Sequence, residues 1–140
     1  MDALFLVGRF CFGLMFVRSG IFGHFRSYRP MAGYAAAKKI PMPGAAVLVS
    51  GAMIIVGGLG IILGAWADLS AILLAVFLFA TTFFIHNFWT IPKNEEMARM
   101  QDRIHFEKDL SLLGASLIVF AVVAFGGEFG PSLTEPLFDL

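Results

Sequence analysis

One cysteine, Cys11, is all the thiol chemistry in this chain of 140 residues. A lone cysteine excludes an internal disulfide, a CxxC redox pair and a zinc site built from several thiolates. Charge is also scarce. Asp, Glu, Lys and Arg make up 14% of the residues, against about 25% in an ordinary soluble domain. Mean hydropathy is +0.84. Polar groups are too few to cover a soluble particle of this size, so lipid must solvate most of it. Net charge is zero, which gives no sign of a nucleic-acid partner, and none is expected. There is no Gly-rich phosphate loop, no serine elbow, no dinucleotide fingerprint and no HExxH-type pairing. No catalytic residue and no metal ligand set follows from motifs.

What the chain does have is hydrocarbon in long runs. Val76–Trp89, VFLFATTFFIHNFW, has no polar face until its last turn, unlike a helix on a soluble protein. It closes on an imidazole, an amide and an indole, the groups that collect at a lipid–water boundary. A membrane helix needs about 20 mainly apolar residues. Ala3–Phe22, Gly44–Gly64 and Leu69–Trp89 meet this, and Leu110–Phe125 meets it when extended to residues 107–126. The expectation is one all-α domain, a four-helix transmembrane bundle with an interfacial helix before the fourth span. The first run has no basic n-region and no clear cleavage site, so it reads as a retained helix rather than a signal peptide.

The connectors carry the rest. Pro30 is placed to open a short interfacial helix over Met31–Lys39, and Asp68, in the turn between spans two and three, is placed to cap the third span. After Trp89, Pro92 breaks the chain and Asn94 is placed to cap the next helix. Four spans put both termini on one side. The first and third connectors then share the other side, with Arg26, Arg29, Lys38, Lys39, Lys93, Arg99, Arg103 and Lys108, while the termini and the Asp68 turn hold no Lys or Arg. Positive residues stay in the cytoplasm, so both termini are expected outside.

Arg9 is expensive in lipid, by ~2.5–3.5 kcal/mol on insertion scales. At 100° per residue it shares a face with Gly13, Phe16 and Gly20, and His24 lies nearby. The glycines allow close helix approach, so Arg9 is expected to point into the bundle. Its partner is expected to be a carboxylate, the nearest in depth being Asp68, Glu128 and the tail acids, or backbone carbonyls, with a bound anion as the alternative. Span two is glycine-rich, with Gly51, Gly57, Gly60 and Gly64. Its GxxxG pair, Gly60 and Gly64, reads either as a seam for a partner chain or as packing inside the bundle.

All three histidines gather at the basic end. His24, His86 and His105 lie at a depth similar to Asn87, Trp89, Lys108, Asp109 and Arg18. Four readings stand open: a metal site, a haem or chlorophyll held by His86, a pocket for a quinone-like head group walled by Trp89 or Phe88, and a structural network in which Asp109 neutralises Arg18 or Lys108. No cofactor is fixed by these residues; a quinone is the candidate they leave.

Four segments together carry a family resemblance: SGI-x-x-HF from Ser19, MAGYAA from Met31, HNFW from His86, and HF-x-K-x-L-x-LLGA from His105. With them the chain resembles the DoxX family of small bacterial membrane proteins along nearly its whole length. The resemblance implies a four-helix bundle in the bacterial cytoplasmic membrane. It also implies links to terminal quinol oxidase and thiosulfate:quinone oxidoreductase activities, and to membrane assemblies handling oxidative and thiol stress. Two positions depart from the pattern. Ser50 stands where related sequences often carry an acid, which removes a partner for Arg9, and Asp109 stands where they often carry asparagine. The expected role is an accessory or structural subunit of a larger membrane redox or energy-transducing complex, without catalytic activity of its own. The alternative is a quinone-linked oxidoreductase component. Lipid and other membrane subunits are the expected partners.

Overall fold

The computed structural model describes residues 1–138 and 140. The described residues form five α-helices and no strand. α1 spans Asp2–Arg18 and continues without a break into wider π-type turns over Ser19–Arg26. α2 spans Tyr28–Ala37, α3 Pro43–Leu63, α4 Ala67–Ala80 and α5 Glu96–Ala124. Three helical stretches are long and apolar enough to cross a membrane: Asp2–Arg26, Pro43–Leu63 and Ala67–Thr90.

Several boundaries differ from expectation, each for a local reason. α2 begins at Tyr28 rather than Met31, because Pro30 is tolerated anywhere in the first turn, where its missing N–H leaves no bond unmade. α4 ends as an α-helix at Ala80, passes through π-type turns over Thr81–Ile85 and stops at His86. The expected interfacial helix before a fourth span is not separate. Glu96–Ala124 is one helix, because no Pro or Gly interrupts Glu96–Leu113. α3 starts with Pro43 in its first turn and ends on Gly64 in the left-handed conformation, φ 64°, a conformation that glycine adopts without steric cost.

Glycine decides how the helices meet. A Cβ on Gly58 would lie 2.7 Å from the Gly13 carbonyl oxygen, and one on Gly20 would lie 2.9 Å from that of Gly51. α1 therefore packs backbone to backbone on α3. On the other face of α3, Gly57 receives Leu74 and Gly60 receives Ser70, both from α4. The glycine seam is filled by the chain's own helices, and Gly64 ends the helix rather than lining a face. α4 packs in turn on α5. Among the described residues, α1 makes no extensive backbone contact with α4 or α5. Side chains bridge that wider seam: Phe16, Ile54, Ile61, Ala71, Leu74 and Leu78 form the buried core, with Phe12, Leu112, Leu113 and Phe120 packed against it.

Arg9 is buried and satisfied by carbonyls. Its Nε donates to Ile61 O at 2.8 Å, Nη2 to Ile62 O at 2.9 Å, and Nη1 to Pro131 O at 2.6 Å and Phe129 O at 3.2 Å. The two isoleucine carbonyls belong to the last turn of α3, which has no intrahelical donors left and carries the negative end of the helix dipole. Arg9 thus acts as the C-terminal cap of α3 and fastens the tail in the same step. Among the described residues no carboxylate pairs with it; Asp139, one of the tail acids considered, lies outside them.

Asp68 does not cap α4. It is fully buried, and its Oδ2 accepts the backbone N–H groups of Leu137 at 2.7 Å and Phe138 at 2.6 Å. The tail is further held by Leu133 and Thr134, whose amides donate to Gly64 O at 3.2 and 3.3 Å, and by Thr134 Oγ1, which accepts from the Trp66 N–H at 2.7 Å.

Arg9→Met leaves four carbonyls without their donor and is expected to cost about 3 kcal/mol, read as a fall in thermal stability in detergent. Asp68→Ala is expected to release the tail at a smaller cost of about 1–3 kcal/mol. Hydrogen exchange at Leu137 and Phe138 should rise sharply; unchanged protection there would contradict the clamp.

Candidate functional site

At the end of the bundle opposite Arg9, the wide seam beside α1 opens into a cavity of about 810 Å³. Its lining is mainly apolar, with Phe16, Val47, Phe77, Leu78 and Phe84 among its walls, and it includes a set of polar side chains. Both π-type segments flank it, contributing Ser19 and His24 from one and Thr81, Phe84 and Ile85 from the other. α2 supplies Tyr34, and Lys38 follows it directly.

The polar residues come from four elements. His24 is buried on α1's extension, with Nδ1 3.1 Å from Ser19 O and its ring edge-on to Phe77 at 5.8 Å. Gly51 makes room for it, since a Cβ there would lie 2.7 Å from the His24 Cβ. His86 stands in the break after α4. Its Nδ1 is 3.4 Å from Asp102 Oδ1, its Nε2 is 3.7 Å from Asp109 Oδ2, and its ring stacks on His105 at 4.9 Å with an interplanar angle of 25°. Lys38 Nζ reaches Asp102 Oδ2 at 2.6 Å and Asn87 Oδ1 at 3.1 Å. Tyr34 OH donates to Asp102 Oδ1 at 3.3 Å. Lys108 Nζ lies 3.2 Å from Asp109 Oδ1 and 3.5 Å from His105 Nδ1.

Of the residues singled out from sequence, His24, His86, Asn87, His105, Lys108 and Asp109 line this cavity. Arg18 and Trp89 do not. Arg18 is exposed and lies over the Phe22 ring at 5.8 Å, so Asp109 is neutralised by Lys108 instead. Trp89 is half-exposed and packs on Phe88 and Phe106, as an interfacial aromatic would; Phe77 and Phe84 are the aromatic walls. Among the described residues, no three His, Cys, Asp or Glu side chains converge as metal ligands. Ser50 also lines the cavity, about three helical turns from the carbonyls that hold Arg9. A side chain at position 50 is therefore not placed to pair with Arg9.

Three members of the network were not singled out from sequence: Tyr34, Lys38 and Asp102. A signal existed. Asp102, His105 and Asp109 fall at i, i+3 and i+7 on one face of α5, and Tyr34 and Lys38 at i and i+4 along α2 and its C-terminal cap position. Burial pushes the Asp102 carboxyl up, but the hydrogen bond and charge of Lys38, joined by the His86 bond, outweigh it and hold Asp102 below the usual carboxylate range. Burial, then the charge of Asp102 and the hydrogen bond to it, push the Tyr34 phenol up to about 12.

Among the described residues, three helices long and apolar enough to cross a membrane and a cavity with mixed apolar and polar lining define a multi-pass helical membrane protein. A DoxX family model matches residues 4–87, more than half of the chain, and the protein belongs to the DoxX family. The matched region carries Arg9, His24, Tyr34, Lys38, His86 and Asn87; α5, with Asp102, His105 and Asp109, lies beyond it. Comparison with curated proteins and with solved structures returns no match.

The Tyr34 shift is directly measurable. In ultraviolet titration of a Tyr28→Phe protein, which leaves one tyrosine, Tyr34 should ionise near pH 12. Asp102→Asn removes the negative charge that opposes phenolate formation, so ionisation should move to lower pH. No movement would separate Tyr34 from Asp102.

Proposed function

We infer that this protein is a quinone-linked component of a membrane redox system, with the cavity receiving the head group of a quinone-class amphiphile. The observation that carries this is the cavity's form: apolar walls large enough for a ring, closing on histidine, asparagine and lysine donors at one end of the bundle. Such pockets bind small amphiphiles by burying the body and orienting the head with a few polar groups. His86 and Asn87 are the head-group partners, and His24 stands on the far wall.

The glycine-rich seam of span two is one ground for an accessory-subunit reading; Gly57, Gly58 and Gly60 are occupied by α1 and α4, so that seam does not by itself call for a partner chain.

The second half of α5 makes the fourth crossing in this reading. Leu110–Ala124 carries no charge and runs about 22 Å at 1.5 Å per residue. The termini support it: Phe5 of α1 meets Phe129 of the tail at 6.3 Å, so both chain ends sit at one end of the bundle, as an even number of crossings requires. The setting is the bacterial cytoplasmic membrane, with both termini outside and the cavity facing the cytoplasm, since the basic connectors lie at the cavity end.

Two measurements test this. The full chain in lipid nanodiscs should bind a short-chain ubiquinone, and His86→Ala should weaken binding about tenfold, the worth of one good hydrogen bond; absence of binding to the wild type removes the reading. A carboxyl-terminal fusion should report an extracytoplasmic location, and an alkaline phosphatase fusion that is inactive beside an active cytosolic reporter would reverse the orientation.

A further inference from the structure

We propose that His86 is the acid–base residue of the cavity, oriented by Asp102 to take a proton from a hydroxyl on the bound molecule. This rests on the cavity reading above and narrows the ligand to an amphiphile whose polar head carries an ionisable O–H, such as a quinol or a phenol.

A histidine base needs one nitrogen fixed by an orienting group and the other free toward the reacting atom. Asp102 meets the first condition, and Nε2 has no hydrogen-bond partner among the described residues. Asp102 is itself held in place by Lys38 at 2.6 Å and Tyr34 at 3.3 Å. A proton on His86 Nδ1 satisfies the Asp102 carboxylate at 3.4 Å, which leaves the lone pair on Nε2. The neighbour of Nε2 is Asp109 Oδ2 at 3.7 Å, beyond hydrogen-bond reach, so Nε2 remains unclaimed, and His86 and Asp109 both line the cavity.

The step balances within the site. The ligand O–H bond breaks, an Nε2–H bond forms, and the ligand is left as an oxyanion with the ammonium groups of Lys38 and Lys108 on the cavity wall. The imidazolium then lies between two carboxylates, which stabilise its charge. The charged and titratable groups around His86 are Asp102, His105, Lys108 and Asp109 from α5, Tyr34 from α2 and Lys38 just after it, with Lys39 also on the cavity wall. α1 contributes His24 to the same cavity, and α3 contributes only the Ser50 hydroxyl. His105 is exposed and stacked on His86, with exposed Lys108 beside it.

The test uses the full chain in nanodiscs and 2-heptyl-4-hydroxyquinoline N-oxide, an amphiphile whose ultraviolet absorption distinguishes its protonated and ionised forms. Bound to the wild type, the probe should ionise about one pH unit or more below the free probe. With probe raised to saturate the weaker site, His86→Gln should abolish that shift. Asp102→Asn should shrink the shift and Asp102→Glu should restore it, which a merely structural role would not produce. If the bound probe ionises at the same pH with wild type and His86→Gln, the inference is overturned and the cavity reading stands. If the probe does not bind to the wild type, both fail together. Should His86→Gln not fold, an unchanged shift in Asp102→Asn overturns the acid–base role by itself.

Discussion

Hydrocarbon offers no hydrogen bonds, so each polar group carried into it needs a partner supplied by the chain. The two ends of the molecule supply such partners in different ways, while Asp68 Oδ1 and Thr82 Oγ1 are buried without one among the described residues. At the tail end, Arg9 finds the carbonyls that the last turn of α3 leaves open, together with two from the folded-back tail. One guanidinium thereby satisfies a helix terminus and fixes a segment that lacks helical bonds of its own. Asp68 does the reverse with tail amides. At the other end, partners are side chains: two lysines, two aspartates and two histidines arranged with alternating charge. A cap of carbonyls around a permanent cation has no proton to exchange. A chain of carboxylates and imidazoles does.

The cavity follows from unequal helix spacing. Glycines bring α1 onto α3 until the backbones touch, and the same helix then stands away from α4 and α5. Large side chains close that wider gap along most of its length. Toward the basic end they no longer fill it, and Tyr34 of α2 joins the lining. The two π-type segments both occur at this level. Such turns widen a helix and are frequent at functional sites; here they shape the wall that carries His24 and the approach to His86.

Much of this was readable in the residues. The composition required lipid, and the apolar runs correspond to the three long helices within a few residues. The face of α1 bearing Arg9, Gly13, Phe16 and Gly20 is the buried one. Asp102 was less visible, because on its own helix it looks like any solvated acid between Gln101 and Arg103. The cap assigned to Asp68 was a local reading of a short turn; its true partners lie some seventy positions away in the chain. Trp89 and Arg18 are exposed and lie outside the cavity lining.

The sequence alone determined the solvent, the helical runs and the direction each side chain takes from its own axis, because these depend on composition and on a period of 3.6 residues. Which side chains meet was decided only in the tertiary structure. The rotation and depth of each helix against its neighbours come from packing, and no local period encodes them. Asp102 became the anchor of Lys38 and His86 when α5 settled against α4 as one unbroken helix and α2 came to lie at the same end.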